Sequence, residues 1–120
     1  MFRSLVTQPS TNRCYSAGIV TLEEFKTSSA RENPPENLSR PLLALWYDLK
    51  GDWHRAHDAA QDIHTKVGYR IHGYLHRKEG NPGNAVYWYR RASELAFVGS
   101  FEEEWDAIAQ SVLEASKLSG

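Results

Sequence analysis

Two histidines, His72 and His76, stand four residues apart in the segment HGYLH. Residues at this spacing share one face of a helix, so both imidazoles could reach a single metal ion. His57 precedes them in the chain and could approach as a third ligand. Three imidazole ligands with an open water position are typical of a catalytic zinc ion. One hypothesis is therefore a small metal-binding protein or metalloenzyme that holds zinc or another divalent metal on His57, His72 and His76.

Other patterns that support catalysis are absent from the sequence. Cys14 is the single cysteine, so neither an internal disulfide nor a cysteine-based zinc site can form within the chain. No serine lies in a Gly-x-Ser-x-Gly motif. The segment GNPG at residues 80–83 lacks the Gly-Lys-Ser/Thr ending of a phosphate-binding loop. The sequence assigns no catalytic residue on these grounds.

Composition restricts the partners and the cellular location. The chain has 120 residues and a formal net charge of −1, which gives no overall attraction to nucleic acid or to an anionic membrane. No run approaches the roughly 18 apolar residues of a membrane span. We expect a soluble, cytoplasmic protein that binds neither nucleic acid nor membrane. The first 22 residues contain Arg3 and Arg13 but no acidic residue, so organelle targeting by this segment is not excluded.

The N-terminal part differs in composition from the rest of the chain. Thr21 followed by Glu24 forms a capping-box pattern, which predicts the start of a short helix. Pro34 and Pro35 lie in a polar stretch that cannot continue this helix. We therefore assign residues 1–37 to an N-terminal tail, a short helix and a Pro-rich linker.

Residues 38–120 show apolar residues at helical spacing and no strand-like alternation, which predicts an all-α fold. The last predicted helix carries an apolar stripe that must pack on another element. The predicted boundaries are N-caps at Ser39, Asp52, Asn81 and Ser100 and glycine stops at Gly51 and Gly80.

An internal repeat appears when Gly51 is aligned with Gly80, at a period of 29 residues. The segment GDWHRAHDAAQDI then lies over GNPGNAVYWYRRA, and the cap and an alanine five residues after the glycine coincide. Earlier in each unit, Ala44 coincides with Gly73, and small residues at this point let two helices approach closely. Over residues 38–96 the pattern resembles the tetratricopeptide repeat and its Sel1-like variant.

The resemblance implies two antiparallel helical hairpins followed by a C-terminal capping helix. The period is shorter than the roughly 34 residues of a tetratricopeptide repeat, and two units are fewer than the three or so that a stable stack needs. We therefore expect the C-terminal helix to cover the open apolar end of the stack. We also regard a homo-oligomer as compatible with the sequence.

In repeats of this type, the first helix of each pair lines a groove that binds partners. The matching positions of the second unit are Arg70, Tyr74, Arg77 and Lys78, three cations and one aromatic residue. This combination suits an acidic peptide or an acidic segment of a partner protein, through charge-assisted hydrogen bonds. The preferred interpretation is a non-catalytic interaction module that binds through this basic and aromatic face.

The same repeat register gives the histidines a structural interpretation. His72 and His76 fall where the family has packing residues, and a buried neutral imidazole with one hydrogen bond is stable there without metal. In the segment YWYRR, Trp88 and Tyr89 are predicted to face the core, which leaves Tyr87, Arg90 and Arg91 outside. A nucleic-acid stacking platform at this segment is therefore disfavoured.

Overall fold

The computed structural model describes the backbone of residues 21–119 and the side chains of residues 21–115. Residues 1–20, which include Cys14 and most of the segment for which targeting was not excluded, lie outside this range. Within it, no strand is present, so the prediction of an all-α fold is confirmed. None of the helices in the described range is long and apolar enough to cross a membrane. The six described helices are α1 (Leu22–Ser28), α2 (Arg40–Leu49), α3 (Trp53–Gln61), α4 (Lys66–Lys78), α5 (Pro82–Arg91) and α6 (Phe101–Ser119).

Side-chain caps fix where most of the helices begin. Thr21 and Glu24 form the predicted capping box, in which each side chain accepts a hydrogen bond from the backbone N–H of the other residue. The start of α4 could not be read from the sequence, and there Thr65 accepts from the N–H of Gly68. The helices α2, α3 and α5 begin at the predicted caps, which are Ser39, Asp52 and Asn81.

Glycines allow the helices to pack closely at two points. A Cβ atom at Gly73 would lie 3.2 Å from the Tyr89 ring, so α4 and α5 come together at the small residue that the sequence indicated. A Cβ atom at Gly68 would lie 2.4 Å from the Ile63 carbonyl oxygen. This distance is too short for any residue with a side chain. Gly68 is thus the residue that lets α4 follow α3 through a tight connection.

Consecutive helices pack as neighbours: α2 against α3, α3 against α4 and α4 against α5. The C-terminal helix α6 lies across α1, α2 and α4 rather than over the outer side of α5. Its apolar stripe packs on these helices, as the sequence predicted, and its role as the cap of a repeat stack stays a prediction. The core contributed by α6 consists of Trp105, Ile108, Ala109, Val112 and Leu113.

The short helix α1 contributes to this core across the Pro-rich linker. Phe25 is 2% exposed, and its ring stacks on Trp105 with the ring centroids 5.8 Å apart. The indole N–H of Trp46 donates to the Ser28 hydroxyl at 3.2 Å, and Lys26 forms an ion pair with Asp106 at 2.8 Å. The short helix is therefore held by α2 and α6 together.

A buried carboxylate joins α6 to α4 and α5. Glu104 is 0% exposed, accepts a hydrogen bond from the Tyr89 hydroxyl at 2.5 Å and pairs with the Arg77 guanidinium at 2.8 Å. Burial raises the pKa of Glu104, while the Tyr89 hydrogen bond and the Arg77 charge oppose that rise. Two partners on two helices thus compensate one acid placed inside the core.

We expect Glu104→Ala to lower the free energy of unfolding by about 3–5 kcal/mol, because it leaves the Arg77 charge and the Tyr89 hydroxyl without their acceptor. Urea denaturation followed by circular dichroism measures this change. Glu102→Ala, at an exposed position of the same helix, is the control and should change stability by about 0.5 kcal/mol or less. Equal losses in the two variants would contradict the role assigned to Glu104.

Candidate metal centre

Three histidines from two helices converge in the structure. His57 belongs to α3, and His72 and His76 belong to α4. One ring nitrogen of each lies within 4.8 Å of the others. The closest pair is His57 Nε2 and His72 Nε2, which are 3.0 Å apart. The structure therefore brings together the three residues that the metal hypothesis selected.

Their spacing is close to that of ligands on one ion. Two nitrogens bound to zinc at about 2.0–2.1 Å with tetrahedral angles are about 3.3–3.4 Å apart. The His57 to His72 separation of 3.0 Å is near this value, and the largest ligand spacing is at most 4.8 Å. The His72 and His76 ring planes are nearly parallel, at 11°, so at least one imidazole must rotate before all three nitrogens surround one ion.

The helical frame explains why His57 faces the other two. Asp52 caps α3 and sets its first turn, which begins at Trp53. The indole N–H of Trp53 then donates to the carbonyl oxygen of Leu75 in α4 at 2.8 Å. This bond fixes the position of α3 along α4. His57, one turn after Trp53, consequently lies beside the histidine face of α4.

A carboxylate orients one of the ligands. His76 Nδ1 lies 2.6 Å from Glu79 Oε2, three residues further along the chain. An imidazole that donates its Nδ1 proton to a carboxylate presents the Nε2 lone pair, and this is the usual outer-shell arrangement of a metal-bound histidine. Glu79 therefore orients the His76 ring through its Nδ1 atom.

Two tryptophans hold the imidazole planes. The Trp88 ring stacks on His72 with centroids 4.0 Å apart and an interplanar angle of 5°. The Trp53 ring stacks on His57 with centroids 4.9 Å apart and an interplanar angle of 15°. His72 and His76 are buried, whereas His57 is half-buried. Solvent reaches the cluster from the His57 side.

The protonation state favours metal ligation. Burial, together with the neighbouring His57 and His76, lowers the pKa of His72 to about 4, because a positive charge is unfavourable inside the protein and beside two other imidazoles. Burial and His76 also lower the pKa of His57. At neutral pH both imidazoles are therefore uncharged and keep the lone pair that a metal ion needs.

The basic face predicted from the sequence lies against other parts of the chain. Tyr74 is 1% exposed, and its hydroxyl donates to Asp48 at 2.5 Å. Lys78 pairs with the same Asp48 at 3.0 Å, and Arg77 pairs with the buried Glu104. Arg70 is half-buried. Three of the four residues thus contact acids of the chain itself, and their role in partner binding stays a prediction.

Glu79, Trp53 and Trp88 were not identified from the sequence as parts of the site. The sequence contained one usable signal, because Glu79 follows His76 at the three-residue spacing of neighbours on a helix. Trp53 and Trp88 were assigned to apolar stripes, and nothing in the periodicity distinguishes a tryptophan that stacks on histidine from one that packs in the core.

Comparison of the chain with protein-family models, with curated proteins and with solved structures finds no match. The resemblance of residues 38–96 to tetratricopeptide and Sel1-like repeats therefore stays a prediction.

In the metal-free protein, we expect the free energy of unfolding to fall as the pH is lowered from about 6.5 toward about 4. The pKa of His72 is lower in the folded protein, about 4, than its ordinary 6.5, so the unfolded chain takes up a proton first. The loss attributable to His72 is on the order of 2–3 kcal/mol.

The measurement is urea denaturation in the presence of a chelator at pH 7 and pH 4.5. His72→Phe, which keeps a ring beside Trp88 but cannot titrate, should show a clearly smaller pH dependence. His64→Phe, at an exposed position, should behave like the unsubstituted protein. An unchanged pH dependence in His72→Phe would show that the proton uptake occurs elsewhere.

Proposed function

We propose that this protein binds a divalent transition-metal ion through His57, His72 and His76. The observation that carries the proposal is the convergence of three imidazole nitrogens, all within 4.8 Å of one another, from two packed helices. The hydrogen bond between His76 and Glu79 supports it, because it orients one ligand through its Nδ1 atom.

The donor set indicates which ions suit the site. Neutral imidazoles favour zinc, copper, nickel and iron(II), whereas calcium and magnesium prefer oxygen ligands. The cluster offers nitrogen ligands alone, and Glu79 is already engaged by His76. Zinc fits best, since three nitrogens around a tetrahedral ion leave one coordination position for water or another ligand.

A fourth ligand of such an ion could come from solvent, since His57 is half-buried and not buried. A water molecule bound to zinc with three protein ligands loses a proton near neutral pH, so such a site is compatible with hydrolytic chemistry as well as with metal storage or transfer. The rigid frame is part of the proposal: we infer that α2–α3 and α4–α5 are two repeat-like hairpins that hold the ligands in register. We also place this metal-binding protein in the cytoplasm.

The direct test is the metal content of protein purified without a His-tag, followed by calorimetric titration with Zn²⁺, Ni²⁺, Co²⁺ and Cu²⁺. We expect about one ion per chain, and a Co²⁺ complex with the visible absorption of a tetrahedral site. His57→Ala and His76→Ala should each lower the affinity at least about tenfold. Glu79→Gln should lower it about 10- to 100-fold, because it removes the carboxylate behind His76.

The chain provides its own control in His64, an exposed histidine in the connection between α3 and α4. His64→Ala should leave both stoichiometry and affinity unchanged. Stoichiometry well below one for every metal, or an equal loss in His64→Ala and His57→Ala, would mean that the histidines are a packing cluster and not a metal centre.

A further inference from the structure

The outer side of α5 is the open end of the helical stack. Among the described helices, the backbone of α5 lies close to that of α4 alone, with Tyr89 reaching Glu104 of α6 through its hydroxyl, whereas α3 lies between α2 and α4. Tyr87 is 53% exposed and Val86 is 38% exposed on this side. With Gly83, Arg90 and Arg91 they line an open depression of about 430 Å³. An apolar floor is thus bordered by two cations.

Arg90 and Arg91 differ from the cations that lie near the core. Arg77 and Lys78 pair with Glu104 and Asp48, respectively. In the part of the chain whose side chains are described, no carboxylate forms an ion pair with Arg90 or Arg91, and both are exposed. The charge of this surface is therefore not neutralised by an ion pair within the described part of the chain.

Aromatic rings fix the position of one of the arginines. The Arg91 guanidinium lies 4.7 Å from the centre of the Tyr69 ring, 5.5 Å from that of Trp88 and 5.7 Å from that of Tyr87. Its hydrogen bonds to the Tyr69 and Tyr87 hydroxyls are long, at 3.4 and 3.5 Å. A guanidinium held in this way loses little freedom when it binds a carboxylate, and its N–H groups are not used by stronger acceptors.

We propose that the outer face of α5 binds an acidic peptide segment of a partner protein that carries one aliphatic or aromatic side chain. The carboxylates pair with Arg90 and Arg91, and the apolar side chain enters the depression against Val86 and Tyr87. Inside the protein, an arginine and a tyrosine already share an acid, because Glu104 binds Arg77 and the Tyr89 hydroxyl. On α5 an arginine and a tyrosine are present without the acid.

The rings and charges on the outer face of α5 suit a peptide better than a nucleic acid. Arg91 lies over the Tyr69 and Trp88 rings, so these rings are not open for base stacking, and Tyr87 offers a single exposed ring. Two cations on a chain of net charge −1 neutralise few phosphates. An acidic peptide needs two charge-assisted contacts and one apolar pocket, which this surface supplies.

The experiment is a selection from a displayed random peptide library against the full chain, followed by anisotropy measurements with the enriched peptides after synthesis and labelling. We expect sequences with two or more acids near one apolar residue. Arg90→Glu/Arg91→Glu should weaken their binding at least about tenfold, Tyr87→Ala should weaken it several-fold, and added salt should weaken it in the unsubstituted protein.

Arg31→Glu/Arg55→Glu is the control with the same change of net charge on exposed side chains away from α4 and α5, and it should alter binding less than about twofold. If the double variant on α5 is unstable in thermal melts, Arg90→Glu alone replaces it, because Arg90 has no ion pair to lose. Enrichment of no peptide, or of peptides without acids, overturns the proposal. So does tighter binding of labelled oligothymidylate than of the best peptide, or competition for the face by self-association of the protein.

This proposal is independent of the metal centre. Peptide binding should persist in His57→Ala, and metal binding should persist in Arg90→Glu/Arg91→Glu.

Discussion

The packing of α4 against four other helices is the constraint on which the structure depends. It contacts α2, α3, α5 and α6, so nearly every side of it is covered. A helix in this position is usually apolar all round, yet α4 carries His72, Tyr74, His76 and Arg77. Each of these polar groups must find a partner inside the protein, because burial without one costs several kcal/mol.

The two sides of α4 meet this requirement in different ways. Toward α2 and α6, its polar groups reach carboxylates, with Tyr74 and Lys78 on Asp48 and Arg77 on Glu104. Toward α3 and α5, the two histidines meet another imidazole and two indole rings. The first side ties the fold together through closed ion pairs. The second holds the imidazoles of the proposed metal centre.

Whether a feature could be predicted from the sequence depends on how far apart in the chain the interacting residues lie. Caps such as Ser39 and Asp52 and the pairing of His72 with His76 act within a few residues, and they were predictable from spacing. The acids that neutralise Lys78 and Arg77 are 30 and 27 residues away in the chain, and only the packing of α2 and α6 brings them there. A cation on a helix face has the same local pattern whether solvent or a distant acid covers it. For this reason the basic face could be read as a groove, and the position of α6 could not be foreseen.

Trp88 occupies a position that links the two proposed sites. One indole both stacks on His72 and lies beneath the Arg91 guanidinium. Metal binding at the proposed centre would place a cation beside the first of these neighbours, and an acidic peptide would place an anion beside the second. The emission of Trp88 would then report on both events. A substitution at position 88 would therefore alter the surroundings of both proposed sites at once.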